Sequence, residues 1–110
     1  MAFFMHQWNY KDNEIHAMVS SPQNRSEVVR LATEAFGGTL HHFFFAFGEY
    51  DGLAITEFPD NATATACLMS IVGQGGLVDV VTTVLMTMEE GEAAMGKAHE
   101  VLNPYRTPSG

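Results

Sequence analysis

The chain has 110 residues, of which 46% are hydrophobic and 16% charged, with 13 acidic against five basic residues and a formal net charge of −8. That length holds one domain of ordinary size. With no cluster of Lys and Arg, it lacks the phosphate-neutralising surface that a nucleic acid or an anionic membrane requires.

No apolar run approaches the ~20 residues of a membrane span. The start, Met1 to His6, has no basic segment and no small-residue cleavage site, which predicts no signal peptide. A single cysteine, Cys67, excludes an internal disulfide framework and fits a reducing cytoplasm. So much apolar surface in so small a chain predicts burial between subunits.

Ala2 to Tyr10 is aromatic-rich and reads as a strand. Two-residue alternation puts Phe4, His6, Trp8 and Tyr10 on one face and Phe3, Met5, Gln7 and Asn9 on the other. Both faces are apolar or amphipathic, as in a central strand covered on two sides. Lys11 to Asn13 is a turn, with Asp12 or Asn13 as cap for a short helix from Glu14 to Ser20. Ser21-Pro22 restarts the chain. Val28, Leu31, Ala32, Ala35 and Phe36 then follow helical spacing to the stop at Gly37-Gly38.

The segment Gly37 to Asp60 holds two apolar runs joined by Gly48-Glu49-Tyr50-Asp51, a β-hairpin set between helices. Its second strand, Leu53 to Phe58, ends at Pro59, which cannot donate to a ladder. Asp60 or Asn61 caps the next helix, in which Ala62, Ala66, Met69 and Val72 recur at helical spacing before Gly73, Gly75 and Gly76. Leu77 to Met86 is β-branched and reads as a fourth strand. Thr87-Met88-Glu89-Glu90 has the form of a capping box opening a helix to about Leu102. Gly91 and Gly96 weaken that helix.

Residues 1–103 thus form one domain and 104–110 an irregular tail. The order predicts an α+β, ferredoxin-like βαββαβ fold with an extra C-terminal helix and helices on one face of the sheet. A second subunit is expected to cover the bare face, giving a homodimer with sheets packed face to face.

With that order in place, the chain resembles the GYD-domain family of small bacterial proteins over nearly its full length. The resemblance rests on the strand ending at Tyr10, the Gly37-Gly38 helix stop and the aromatic strand leading into Gly48-Glu49-Tyr50-Asp51. It continues in the exit Glu57-Phe58-Pro59-Asp60, the threonines Thr82 and Thr83, the helix start Thr87 to Glu90, and the Pro104-Tyr105-Arg106 ending. It implies a ferredoxin-like fold that dimerises as a dimeric α/β barrel. It implies no particular reaction, although that barrel group includes isomerases, cofactor-free monooxygenases, dehydratases and haem-binding proteins. Trp8 and His42 stand where small residues are common in the family, and His6 where another aromatic is common.

Candidate chemistry centres on the histidines. His42 shares a strand face with Phe44, and His41 points the other way by alternation. If His6 and His42 line one pocket, two imidazoles with aromatic walls could move protons at neutral pH. The alternative is that both pack in a dimer core.

Asp51 and Glu57 share one face of the second hairpin strand. Asp51 reads either as an acid with a raised pKa or as a residue bonding turn amides. Tyr50 reads as an oxyanion donor or as cover for the barrel rim. With no His-x-His and no cysteine cluster, no metal and no cofactor are expected. Cys67 reads as an inert small hydrophobe. No nucleophile elbow, phosphate loop or dinucleotide fingerprint occurs.

The expectation is a small dimeric enzyme acting on an apolar or aromatic molecule in an aromatic cavity. His6, His42 and Asp51 would be catalytic, and Trp8, Tyr10, Phe44 and Tyr50 would bind substrate. The reaction would be isomerisation, hydration or dehydration, or cofactor-free oxygenation. The alternatives are a non-catalytic ligand-binding module and a structural homodimer.

Overall fold

The computed structural model describes residues 1–110. In chain order the elements are β1 (Ala2–Tyr10), α1 (Asp12–Ser20), α2 (Arg25–Ala35), β2 (Thr39–Phe45), β3 (Gly52–Phe58), α3 (Asn61–Val72), β4 (Leu77–Leu85) and α4 (Met88–Glu100). The strands form one antiparallel sheet in the order β2-β3-β1-β4. The fold is α+β and ferredoxin-like, with an extra C-terminal helix, as the sequence predicts.

Local signals account for most boundaries. Asn24 caps α2 by accepting from the Ser26 N–H at 3.0 Å, so the helix starts after Pro22 rather than at it. Asp60 caps α3 through the Thr63 N–H at 2.8 Å. Thr87 and Glu90 form the reciprocal capping box that opens α4. The predicted cap of α1 at Asp12 or Asn13 is replaced: the Lys11 N–H bonds the Gly76 carbonyl at 2.9 Å, holding Lys11 extended, and the helix begins at once. The hairpin loop is wider than Gly48–Asp51. It closes with the Ala46 N–H on the Asp51 carbonyl at 2.7 Å.

Helices α2 and α3 cover one face of the sheet. Beneath them Phe4, Phe58, Ala64 and Cys67 form the core, with the Phe4 and Phe58 rings edge to face at 6.1 Å. Gly38 packs directly on the Phe58 ring, where a Cβ would collide with it.

The helices bury different stripes from those their spacing suggests. In α3 the core takes Ala64 and Cys67 and leaves Met69 and Ala66 exposed; in α2 it takes Thr33 and leaves Val28 and Leu31 exposed. Helix α3 is apolar on nearly every side, so docking rather than periodicity sets its phase.

The opposite face carries Phe3, Met5 and Gln7 of β1, Leu53, Ile55 and Glu57 of β3, and Val81, Thr83 and Leu85 of β4, as the register pairs them. No element of the chain packs on it. We call it the open face.

Candidate functional site

On the helix face, a cavity of about 250 Å³ lies between the sheet and helices α1, α2 and α3. Its floor is His6, Trp8 and Tyr10 of β1 with Leu77 and Val80 of β4; its roof is apolar, with Met18, Val29, Ala32 and Ile71. Glu14, Gln23, Arg25 and Gln74 supply its polar groups. Arg25 bonds Gln23 at 2.8 Å and has no carboxylate partner.

Alternation along β1 places His6, Trp8 and Tyr10 together, as the sequence predicts, and the fold turns them toward the helices. His6 is 8% exposed. Its Nδ1 lies 2.9 Å from Thr82 Oγ1 and its Nε2 lies 2.8 Å from Thr56 Oγ1. A neutral imidazole donates from one nitrogen and accepts at the other, and hydroxyls satisfy either tautomer. Burial pushes the His6 pKa down, which favours this neutral form. The register explains the partners: Thr82 stands opposite His6 on β4, and Thr56 lies on the same face of β3.

The Trp8 indole lies over Gly52, where any Cβ would strike it. It also meets the Phe43 ring at 5.4 Å. Its Nε1–H is buried without a hydrogen-bond partner. Tyr10 stacks on Phe45 at 6.0 Å.

The other expected site residues lie elsewhere. His42 stands opposite Ile55 and stacks on Phe44 at 6.1 Å, both on the open face, with Phe44 57% exposed. His6 and His42 therefore point to opposite sides of the sheet, and the joint pocket expected for them does not form within the chain. Asp51 Oδ2 accepts the Tyr10 N–H at 2.9 Å while the Asp51 N–H bonds the Trp8 carbonyl at 2.9 Å. The second reading expected Asp51 to bond amides of its own turn; its carboxylate instead holds the Tyr10 N–H and ties the hairpin loop to the end of β1. Tyr50 lines a shallow depression with Gln7, Glu49 and Leu53, apart from the cavity.

The sequence reading also misplaces His41. A bulge in β2 leaves His41 as the extra residue between the pairs Leu40–Thr56 and His42–Ile55. His41 therefore joins the open face, where its Nε2 lies 2.9 Å from Glu57 Oε1 and its ring is 5.6 Å from Phe3. The signal was present in the spacing. Leu40, Phe43 and Phe45 all serve the helix face, and residues 40 and 43 can share a face only if one residue is extra.

No three His, Cys, Asp or Glu side chains converge as metal ligands would. Cys67 sits in the core beside the Ala32 carbonyl, and burial pushes its thiol pKa up. No helix is long and apolar enough to cross a membrane.

A sequence profile of the GYD domain matches residues 4–95, from the core end of β1 into α4. The chain belongs to the GYD-domain family. The match takes in all four strands of this GYD domain apart from the first two residues of β1, together with its cavity and its Gly48–Asp51 loop. No curated protein and no solved structure matches the chain.

Proposed function

We propose that this GYD domain is a homodimeric small-molecule-binding protein whose ligand, a compact apolar or aromatic molecule, occupies the helix-face cavity over His6, Trp8 and Tyr10. The observation that carries this reading is the cavity itself. About 250 Å³ of apolar-walled space adjoins an imidazole held by two threonines and an indole whose N–H has no partner. Apolar clefts with a few convergent polar groups are where small molecules bind. Arg25 offers a cation to an acidic group on the ligand. The apolar open face supports dimerisation, and a net charge of −8 speaks against nucleic acid and anionic membranes as partners. The free, core-buried Cys67 supports the cytoplasm as compartment.

Trp8 is the only tryptophan and lines the cavity, so its emission reports on occupancy. Titration with monocyclic aromatic acids and alcohols is expected to shift that emission saturably. Val28→Phe, at a half-exposed position on the cavity wall, is expected to weaken the response at least tenfold. Absence of any saturable change across the panel, in a protein that is folded, overturns the reading.

The narrower reading is acid–base turnover of that ligand, and it rests on His6 alone. Its support is a buried imidazole on the cavity floor, hydrogen-bonded to Thr56 and to Thr82 on the edge strand, a group of the type that moves protons near neutral pH. His6→Gln should then abolish turnover while leaving ligand affinity within a few-fold; equal losses of both would reduce His6 to a binding residue.

A further inference from the structure

A compact monomer of this chain's 12.1 kDa exposes about 6,000 Å², and a body of 110 residues has a radius of gyration of about 13 Å. This chain exposes 7786 Å² and has a radius of gyration of 18.0 Å, with extents of 59 × 35 × 22 Å. The surplus is about 1,800 Å² per chain, within the range of about 1,000–2,500 Å² that each partner of an obligate dimer loses.

Much of the surplus is at the C-terminal end. Helix α4 has no buried residue and no substantial packing on another element. Nevertheless it is amphipathic. Met88, Gly91, Met95 and Ala98 recur at three- and four-residue spacing along one side, while Glu89, Glu92 and Glu100 lie on the other. Val101, Leu102 and Tyr105 follow the helix and are exposed apolar residues as well. Leu102 is 95% exposed and Met88 79%. A helix of 13 residues is marginal alone in water, and its two glycines make it more so. Its capping box marks a helix that forms, so an apolar surface must receive it.

That surface is not on its own body. A membrane is a poor match, because the polar side is glutamate-rich rather than basic. One chain carries both an uncovered apolar arm and an uncovered apolar sheet face, and a two-fold axis closes both at once. The root of the arm follows directly on the end of β4, an edge strand whose Thr83 and Leu85 lie on the open face, so a copy packed on that face lies next to the arm.

We infer that α4 and the residues after it cross to a second copy of this chain and lie on that copy, so that the dimer exchanges its C-terminal arms. This rests on the homodimer of the preceding subsection and adds the arm to its interface.

The test uses the full chain. Sedimentation equilibrium gives the mass. In a mixture of methyl-labelled and unlabelled copies, isotope-filtered NOEs then report whether Met95 and Leu102 methyls touch their own chain or the other. The expected result is a dimer with intermolecular NOEs, and at least a tenfold rise in its dissociation constant in Met95→Glu/Leu102→Asp. Both substitutions fall at exposed positions, so the body should keep its fold. A dimer whose arm NOEs are all intramolecular, or one indifferent to the double substitution, overturns the arm exchange and leaves the dimer standing. A monomer overturns both.

Discussion

The two faces of the sheet are both rich in apolar side chains and meet different fates. On the helix face, Phe4, His6 and Trp8 alternate with residues that look the other way, and all three are buried, as are Ala54, Thr56 and Phe58 on β3. On the open face, Phe3, Met5, Leu53 and Ile55 are only partly buried, screened by side chains of the same face, and Phe44 projects. The polar groups differ accordingly. His6 is buried and held between two hydroxyls, whereas His41 meets Glu57 in a partly exposed pair. The same residue type serves as a fixed neutral element on one side and as a rim group on the other. Its cover, not its identity, decides which.

Core truncation should separate the faces most sharply. Phe58→Ala removes a ring with 1% exposure and is expected to cost about 3–5 kcal/mol. Chemical denaturation measures this, and a loss below about 1 kcal/mol would mean the helix face is not the core.

Removing one hydroxyl partner is the next effect in size. Thr56→Val leaves His6 Nε2 unpaired in the interior, for an expected loss of about 1–3 kcal/mol. The acid limb of the stability curve gives a second readout. Because burial holds the His6 pKa below its ordinary 6.5, the unfolded chain gains a proton at a higher pH than the folded one. The neutral ring's contribution is intact above about 6.5, declines as the pH falls below it, and levels off once the folded ring also protonates. In His6→Gln that decline should flatten. An unchanged acid limb would contradict the buried, neutral state.

On the open face, Ile55→Glu should barely change the unfolding of one copy. In sedimentation it should weaken the dimer tenfold or more, equivalent to about 1.4 kcal/mol. Equal association of both proteins would place the interface elsewhere. The smallest expected effect belongs to Glu57→Gln, which breaks the half-exposed pair with His41 for less than about 1 kcal/mol. A larger loss would show that Glu57 is desolvated in the assembly.

Much of the architecture was legible from local chemistry. Strand β1, the Gly37-Gly38 stop, the hairpin and the Thr87–Glu90 capping box are short-range signals, and each gave its element within a few residues. The joint placement of His6, Trp8 and Tyr10 followed from alternation within one strand. That the Asp51 carboxylate would bond a backbone amide was one of two readings, but its partner, the Tyr10 N–H, lies across the sheet and not in the turn. What failed was whatever depended on phase or on partners across the sheet. The α3 stripe was misread because an almost uniformly apolar helix has no preferred face until it docks. His41 was misplaced because a bulge inverts alternation, and that bulge follows from what Leu40, Phe43 and Phe45 must reach.

By itself the sequence determined the βαββαβ order, the apolar character of both sheet faces and the membership of β1's aromatic residues in a single stripe. These depend on alternation, capping and turn chemistry, which act over a few residues. Only the tertiary structure decided that His6 looks toward the helices and His42 away from them, that the Asp51 carboxylate holds the Tyr10 N–H, and that α4 stands clear of the body. Those outcomes turn on strand register and on which face the helices cover, and both are set by residues dozens of positions apart packing against each other.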